Sequence, residues 1–148
     1  LKYMLRGGRI IFICSIAAFI AVPYRSPYSS AKAAELMLGM SMRMELKKAG
    51  ITVTCVCPGE IRTEFSANRA VAAETSDRYG DRPQAALDRI KRKTPERMPV
   101  EKAAKKIYRI CRKGKRAVYV IGGKYRLFRL AQRFTGDTFF LNMTDKFS

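Results

Sequence analysis

The sequence predicts an α/β fold, an open parallel sheet with flanking helices. Two observations carry this. Short apolar runs rich in β-branched residues alternate with longer stretches of helical composition, in the order β-α-β-α-β. Such alternation calls for parallel strands joined by right-handed helical crossovers. The runs are also apolar at consecutive rather than alternate positions, the pattern of strands covered on both faces. With 148 residues, 47% of them hydrophobic, the chain has enough apolar material for one core.

The first strand is expected over 9–14 (RIIFIC), after Gly7 and Gly8. A long helix follows over 27–48, rich in Ala, Met, Leu and Glu. Ser26 is its expected N-cap, Pro27 lies in its first turn and Gly50 just past its end. The second strand, 51–56, is stopped by Pro58 and Gly59. Residues 60–97 are polar, with one helical piece near 84–93. A cleaner helix is expected over 99–113. Val100, Ala103, Ala104, Ile107, Ile110 and Cys111 recur there at helical spacing, Glu101 opens it, and Arg112, Lys113 and Gly114 close it. The third strand, 117–121, ends at Gly122 and Gly123, a doublet read as having no helix behind it. Three strands leave an exposed edge, which a further portion of the parent protein is expected to cover.

Charge and cysteine usage narrow the function classes. Thirty Lys and Arg face twelve Asp and Glu, for a net charge of +18, with +5 in residues 1–65 and +13 in 66–148. A positive field favours anionic partners such as nucleic acid, anionic lipid or a phosphorylated cofactor. A solvated basic face on part of a larger protein accounts for it as well. The four Cys include no C-x-x-C pair, and there is no His, so no metal site is expected. Reduced, buried thiols in a cytoplasmic protein are expected instead. Without His, no Ser-His or Cys-His catalytic scheme is open to this chain. The longest apolar run, 10–23, is too short to span a bilayer.

Ligands of open parallel sheets sit at the carboxyl ends of strands. Those ends here are Ser15 and the turn Pro58-Gly59-Glu60-Ile61-Arg62-Thr63. Tyr28 and Lys32 lie four apart at the start of the long helix, so both project from one helix face. An ammonium beside a phenol favours the phenolate. Such a pair can give a proton to a developing alkoxide or take one from an alcohol. Alone, the pair reads equally as a surface tyrosine packed on a lysine stem. Its place in the chain decides: Ser15 ends the preceding strand, where a hydroxyl can meet a substrate oxygen, and Gly59 and Thr63 supply an approachable backbone and a hydroxyl at the next strand end.

In order and spacing, GRIIFICSIAAF, YSSAKAA and ELKKAGITVTCVCPGEIRT resemble the short-chain dehydrogenase/reductase family over about residues 8–65. The resemblance implies a Rossmann-like sheet, of which this chain is the incomplete C-terminal portion of the doubly wound fold. It implies Tyr28 as general acid/base, Lys32 as the cation that favours its phenolate and binds the nicotinamide ribose, and Ser15 as the group holding the substrate oxygen. It places Pro58, Gly59, Ile61 and Thr63 at the nicotinamide, with the Ile61 backbone and the Thr63 hydroxyl near its carboxamide. The implied reaction is hydride transfer between NAD or NADP and a small-molecule carbonyl/alcohol pair. The family's opening Gly-rich turn, which cradles the cofactor pyrophosphate, and its upstream Asn have no match here. A fragment poorly competent by itself is therefore expected, with the choice between NAD and NADP left open.

The expected division is 1–123 as the C-terminal half of the NAD(P)-binding domain and 124–148 as a basic aromatic extension. Residues 64–98, with Tyr79, Leu87 and Ile90, are expected over the substrate pocket. The tail mixes Lys and Arg with Tyr125, Phe128, Phe134, Phe139, Phe140 and Phe147. It suits packing against the rest of the protein or a partner subunit, and also peripheral contact with a membrane. A homo-oligomer is expected through the long helix. The alternative function is a basic, non-catalytic module for nucleic acid or anionic membrane; with no nucleic-acid motif in the chain, no nucleic acid is expected.

Overall fold

The computed structural model describes residues 2–64, 80–92 and 96–146. Three parallel strands form the sheet: β1 (Arg9–Ile13), β2 (Thr52–Pro58) and β5 (Val118–Ile121), in the order β1-β2-β5. β1 pairs with β2 from Arg9↔Thr52 to Ile13↔Val56, and β2 with β5 from Cys55↔Val118 to Pro58↔Ile121. A second, two-stranded parallel sheet joins β3 (Ile61–Arg62) to β4 (Met98–Pro99). The helices are α1 (Ser26–Glu45), α2 (Arg82–Arg92), α3 (Val100–Lys113), α4 (Gly123–Gln132) and α5 (Asp137–Lys146).

The central position of β2 explains its composition. Val53, Thr54, Cys55, Val56 and Cys57 are all under 2% exposed, because a strand lies on each side and α1 packs across it. The expected second strand stops too early. Cys57 and Pro58 also pair with β5, and Pro58 is tolerated because it is the last residue of the ladder. β1, by contrast, is half-buried with exposed ends, not covered on both faces as expected. It is an edge strand, so its apolar side chains are only partly enclosed.

α1 lies close on the sheet because of Gly39. A Cβ there would collide with the Cys55 sulfur and stand 3.1 Å from the Phe12 ring. Cys14, Leu36, Cys55 and Cys57 form the buried cluster below it, with Phe12, Phe19 and Met40 packed around. All four cysteines are free thiols, three of them buried. Burial pushes the Cys57 thiol up to about 12 and raises Cys14 further.

The ends of α1 differ from expectation. Its N-cap is Arg25, which makes no side-chain capping bond, and Ser26 is already helical; Pro27 has no amide proton to satisfy. The helix stops at Glu45 rather than residue 48. The chain needs 46–50 to turn back into β2, and Gly50 makes that turn at a φ of 70°. Arg43, in the last turn, donates to the carbonyls of Val53 and Lys115 and so ties helix, β2 and the approach to β5 together.

The tail is helical, contrary to the reading of Gly122 and Gly123. Gly122, at a φ of 111°, turns the chain straight from β5 into α4. Apolar and basic residues alternate in a helical rhythm after it, and glycine's freedom at positive φ makes the sharp entry possible. Phe140 of α5 is buried against Phe128 of α4, with ring centroids 4.5 Å apart. Gln132 donates to the Phe19 carbonyl at 2.8 Å, and the Arg129 guanidinium lies 4.2 Å from the Phe19 ring centroid. The tail therefore folds back on the segment that follows β1. Residues 65–79 and 93–95, including Tyr79, lie outside the described residues, as does Phe147. No described helix is long and apolar enough to cross a membrane.

Candidate active site

Parallel pairing brings the carboxyl ends of β1, β2 and β5 to one rim of the sheet. A cavity of about 760 Å³ opens there. Ser15, Tyr28, Lys32, Pro58, Gly59, Ile61 and Thr63 all line it. Every site residue expected from the sequence is thus brought to one place.

Each is positioned by its element. Ser15 follows β1 in extended backbone and starts the single-turn 3-10 helix Ile16–Ala18, its Oγ accepting from the Ala17 amide at 3.2 Å. Tyr28 sits in the first turn of α1. The Arg25 guanidinium stands 5.0 Å from its ring centroid, within range of an attractive cation–ring contact. Lys32 is one turn further on. Its Nζ donates to the Ile13 carbonyl at 3.1 Å and to Glu35 Oε2 at 2.6 Å. Partial burial pulls the Lys32 pKa down, but the Glu35 bond and charge, with help from Tyr28 and Cys14, leave it above its ordinary value. The ammonium thus stays charged at neutral pH.

The turn after β2 is held on several sides. The Gly59 amide donates to the Ile121 carbonyl at 3.0 Å, and Ile61 is fixed by pairing with Met98. Between them stands Glu60. It pairs with Arg97 at 3.4 Å and Lys124 at 3.6 Å, and its Oε2 accepts from the Tyr125 hydroxyl at 2.9 Å. The Arg97 side chain is 4% exposed and lines the cavity. Burial first, and Glu60's charge second, raise the Tyr125 pKa, so the phenol keeps its proton and donates it in this bond.

Sequence reasoning passed over Arg25, Arg97, Lys124, Tyr125 and Phe128, which also line the cavity, and Glu35, which grips Lys32. A signal for Tyr125 was present. It stands four residues beyond the end of the third parallel strand, and parallel strands all end on the same rim. Nothing in local sequence marks Arg97, which lies far along the chain and arrives through the short β3–β4 pairing.

Comparison with known proteins bears on the family and the fold. The family model for short chain dehydrogenase matches residues 1–74, half of the chain. The sequence is 43% identical over 75 residues to dehydrogenase/reductase SDR family member 7B of Mus musculus, a stretch covering 51% of this chain and 23% of that protein. It is 42% identical over 60 residues to dehydrogenase/reductase SDR family member 4 of Bos taurus, covering 40% of this chain and 22% of that one. A short chain dehydrogenase from Burkholderia cenocepacia, solved in complex with NADP, superposes with a TM-score of 0.61 over 88% of this chain and 45% of its own, at 24% identity, which speaks for the fold alone. The matched part thus spans under a quarter of these curated relatives and under half of that solved structure. Sequence match, sheet order and the parallel α/β architecture point the same way, and the chain belongs to the short chain dehydrogenase family, oxidoreductases built on a Rossmann-type sheet.

Proposed function

We propose that this chain carries the proton-transfer half of an oxidoreductase site that interconverts a carbonyl compound and its alcohol, with NAD or NADP as hydride carrier. The observation that supports this best is the single cavity joining Ser15, Tyr28, Lys32 and the 58–63 turn.

The residues present suit the nicotinamide end of such a cofactor. The cavity has room for a nicotinamide riboside beside a small substrate, and offers an ammonium, a hydroxyl and strand-end backbone as partners. Lys32 would hold the ribose hydroxyls, the Ile61 backbone and Thr63 hydroxyl the carboxamide, and Pro58 and Gly59 would border the ring. When bound, the cofactor supplies or accepts the hydride at the reacting carbon.

The chain's own residues handle the proton. In reduction, the Tyr28 hydroxyl gives its proton to the carbonyl oxygen as that oxygen gains charge; in oxidation, the phenolate takes the alcohol proton. The Lys32 ammonium, fixed by Ile13 and Glu35, holds positive charge beside that exchange. The Ser15 oxygen already accepts from Ala17, which leaves its hydrogen to donate to the same substrate oxygen.

Replacing Tyr28 by Phe removes the proton and keeps the ring. In the intact enzyme, Tyr28→Phe should lower kcat by about 100-fold or more, the typical worth of a general acid/base. The dissociation constant for NAD(P)H, read by fluorescence titration, should change little. Near-normal turnover in this variant would remove Tyr28 from the role.

A further inference from the structure

Helix α4 has two faces, and the described fold uses one of them. Tyr125 and Phe128 turn to the cavity, and Arg129 and Gln132 to Phe19. Leu127, Leu130 and Phe134 recur at spacings of three and four, which stacks them in a row on the opposite face. A last tight turn carries Phe134 into line, its amide donating to the Ala131 carbonyl at 2.9 Å. Leu127 is 69% exposed, Leu130 51% and Phe134 82%. A single exposed leucine is ordinary, but three large apolar groups in one row mark a surface that meets something.

The surrounding charge says what that is. Arg126 and Arg133, both exposed, flank the row, and Arg126 is steadied by donating from Nε to the Val120 carbonyl at 3.0 Å. Residues 102–136 hold twelve Lys and Arg and no Asp or Glu. An apolar row between cations, on a stretch with no acid of its own, complements a layer that is anionic at its surface and hydrocarbon beneath: an anionic lipid bilayer. Nucleic acid would satisfy the cations and leave the leucines and Phe134 against phosphate and water. A second copy related by a two-fold axis would set the same arginines against each other across the contact.

We propose that the outer face of α4 docks on an anionic membrane surface, with the helix lying in the plane of the interface. Leu127, Leu130 and Phe134 enter the boundary between headgroups and acyl chains, and Arg126 and Arg133 meet the anionic headgroups. The inward face keeps its contacts with the cavity and with Phe19, so docking needs no change of fold. The inference stands independently of the oxidoreductase reading.

The test sediments the intact protein with vesicles of phosphatidylcholine alone and with vesicles in which about a quarter of the lipid is phosphatidylserine. The protein should pellet with the second and far less with the first, and added salt should weaken the binding. Leu127→Ser combined with Phe134→Ser should lower affinity for the anionic vesicles about tenfold or more, because two large apolar groups no longer leave water. Arg133→Glu should lower it about tenfold through reversed charge at the headgroups. The replaced side chains already face water, so thermal melting of each variant should match that of the parent, and lost binding then reads the surface rather than the fold. A wild-type protein that stays in the supernatant at low salt overturns the proposal, whatever else covers the row. Binding that the double variant leaves unchanged overturns it too, since the contact would then be charge alone. So does a dimer in sedimentation velocity that the double variant takes apart, which would give the row to a second copy.

Discussion

Lys32 shows how a short motif acquires its environment. The spacing of Tyr28 and Lys32 puts both on one helix face, and no tertiary knowledge is needed to see that. The sequence does not show that Glu35, one turn on, takes hold of the ammonium at 2.6 Å. That bond keeps the Lys32 pKa raised despite the cost of partial burial. A lysine whose folded pKa lies above its unfolded value contributes stability that is fully present below the unfolded pKa and is lost as pH rises through the folded one. Urea melts of Glu35→Gln should therefore show lower stability than the parent at neutral pH. The gap should close in the alkaline range where the parent lysine loses its proton. A gap that persists unchanged there would mean that Glu35 acts through packing rather than through the ion pair. The size should be modest, because both side chains are more than a quarter exposed and solvent screens the pair.

Element identity was mostly legible, and element boundaries and partners less so. The three strands of the sheet and the long helix follow from composition and punctuation. β2 ran two residues past its expected end because pairing with β5, a non-local fact, holds Cys57 and Pro58 in the ladder. β3 and β4 are two residues each and carry no periodicity at all; they exist only because the two segments meet. The tail helices were missed because the Gly122-Gly123 doublet reads as a stop. A glycine mid-helix has the opposite lesson. Gly39 lowers helix propensity, yet it lets α1 settle on Cys55 and Phe12. Gly39→Ala gains roughly 1 kcal/mol in helix propensity. The added methyl meets the Cys55 sulfur in a closed core, and overpacking of that kind costs about 1–3 kcal/mol. Equilibrium urea unfolding should show net destabilisation; a stabilised variant would mean that α1 shifts freely on the sheet.

At the scale of the whole molecule, the proposed site accounts, among the described residues, for the nicotinamide end of a dinucleotide. The relatives this chain matches are covered over less than a quarter of their length, and the sequence holds no Gly-rich turn of pyrophosphate-binding spacing. The 148-residue chain alone should therefore bind NADH or NADPH weakly, with no saturation of the fluorescence change at micromolar concentrations. Micromolar binding would show that these residues grip more of the cofactor than the nicotinamide. What the sequence by itself determined is the family, the alternation of strand and helix, and the position of seven candidate residues, five at two strand ends and Tyr28 and Lys32 at the start of α1. Those are local features, set by periodicity, by punctuation and by the fixed geometry of four-residue helix spacing. Only the tertiary structure decided that α4 is a wall of the same cavity. It alone brought Arg97, Lys124 and Tyr125 together on Glu60, and Glu35 to Lys32 rather than to solvent. Contacts between distant segments depend on which surfaces the fold presses together, and no local pattern records that.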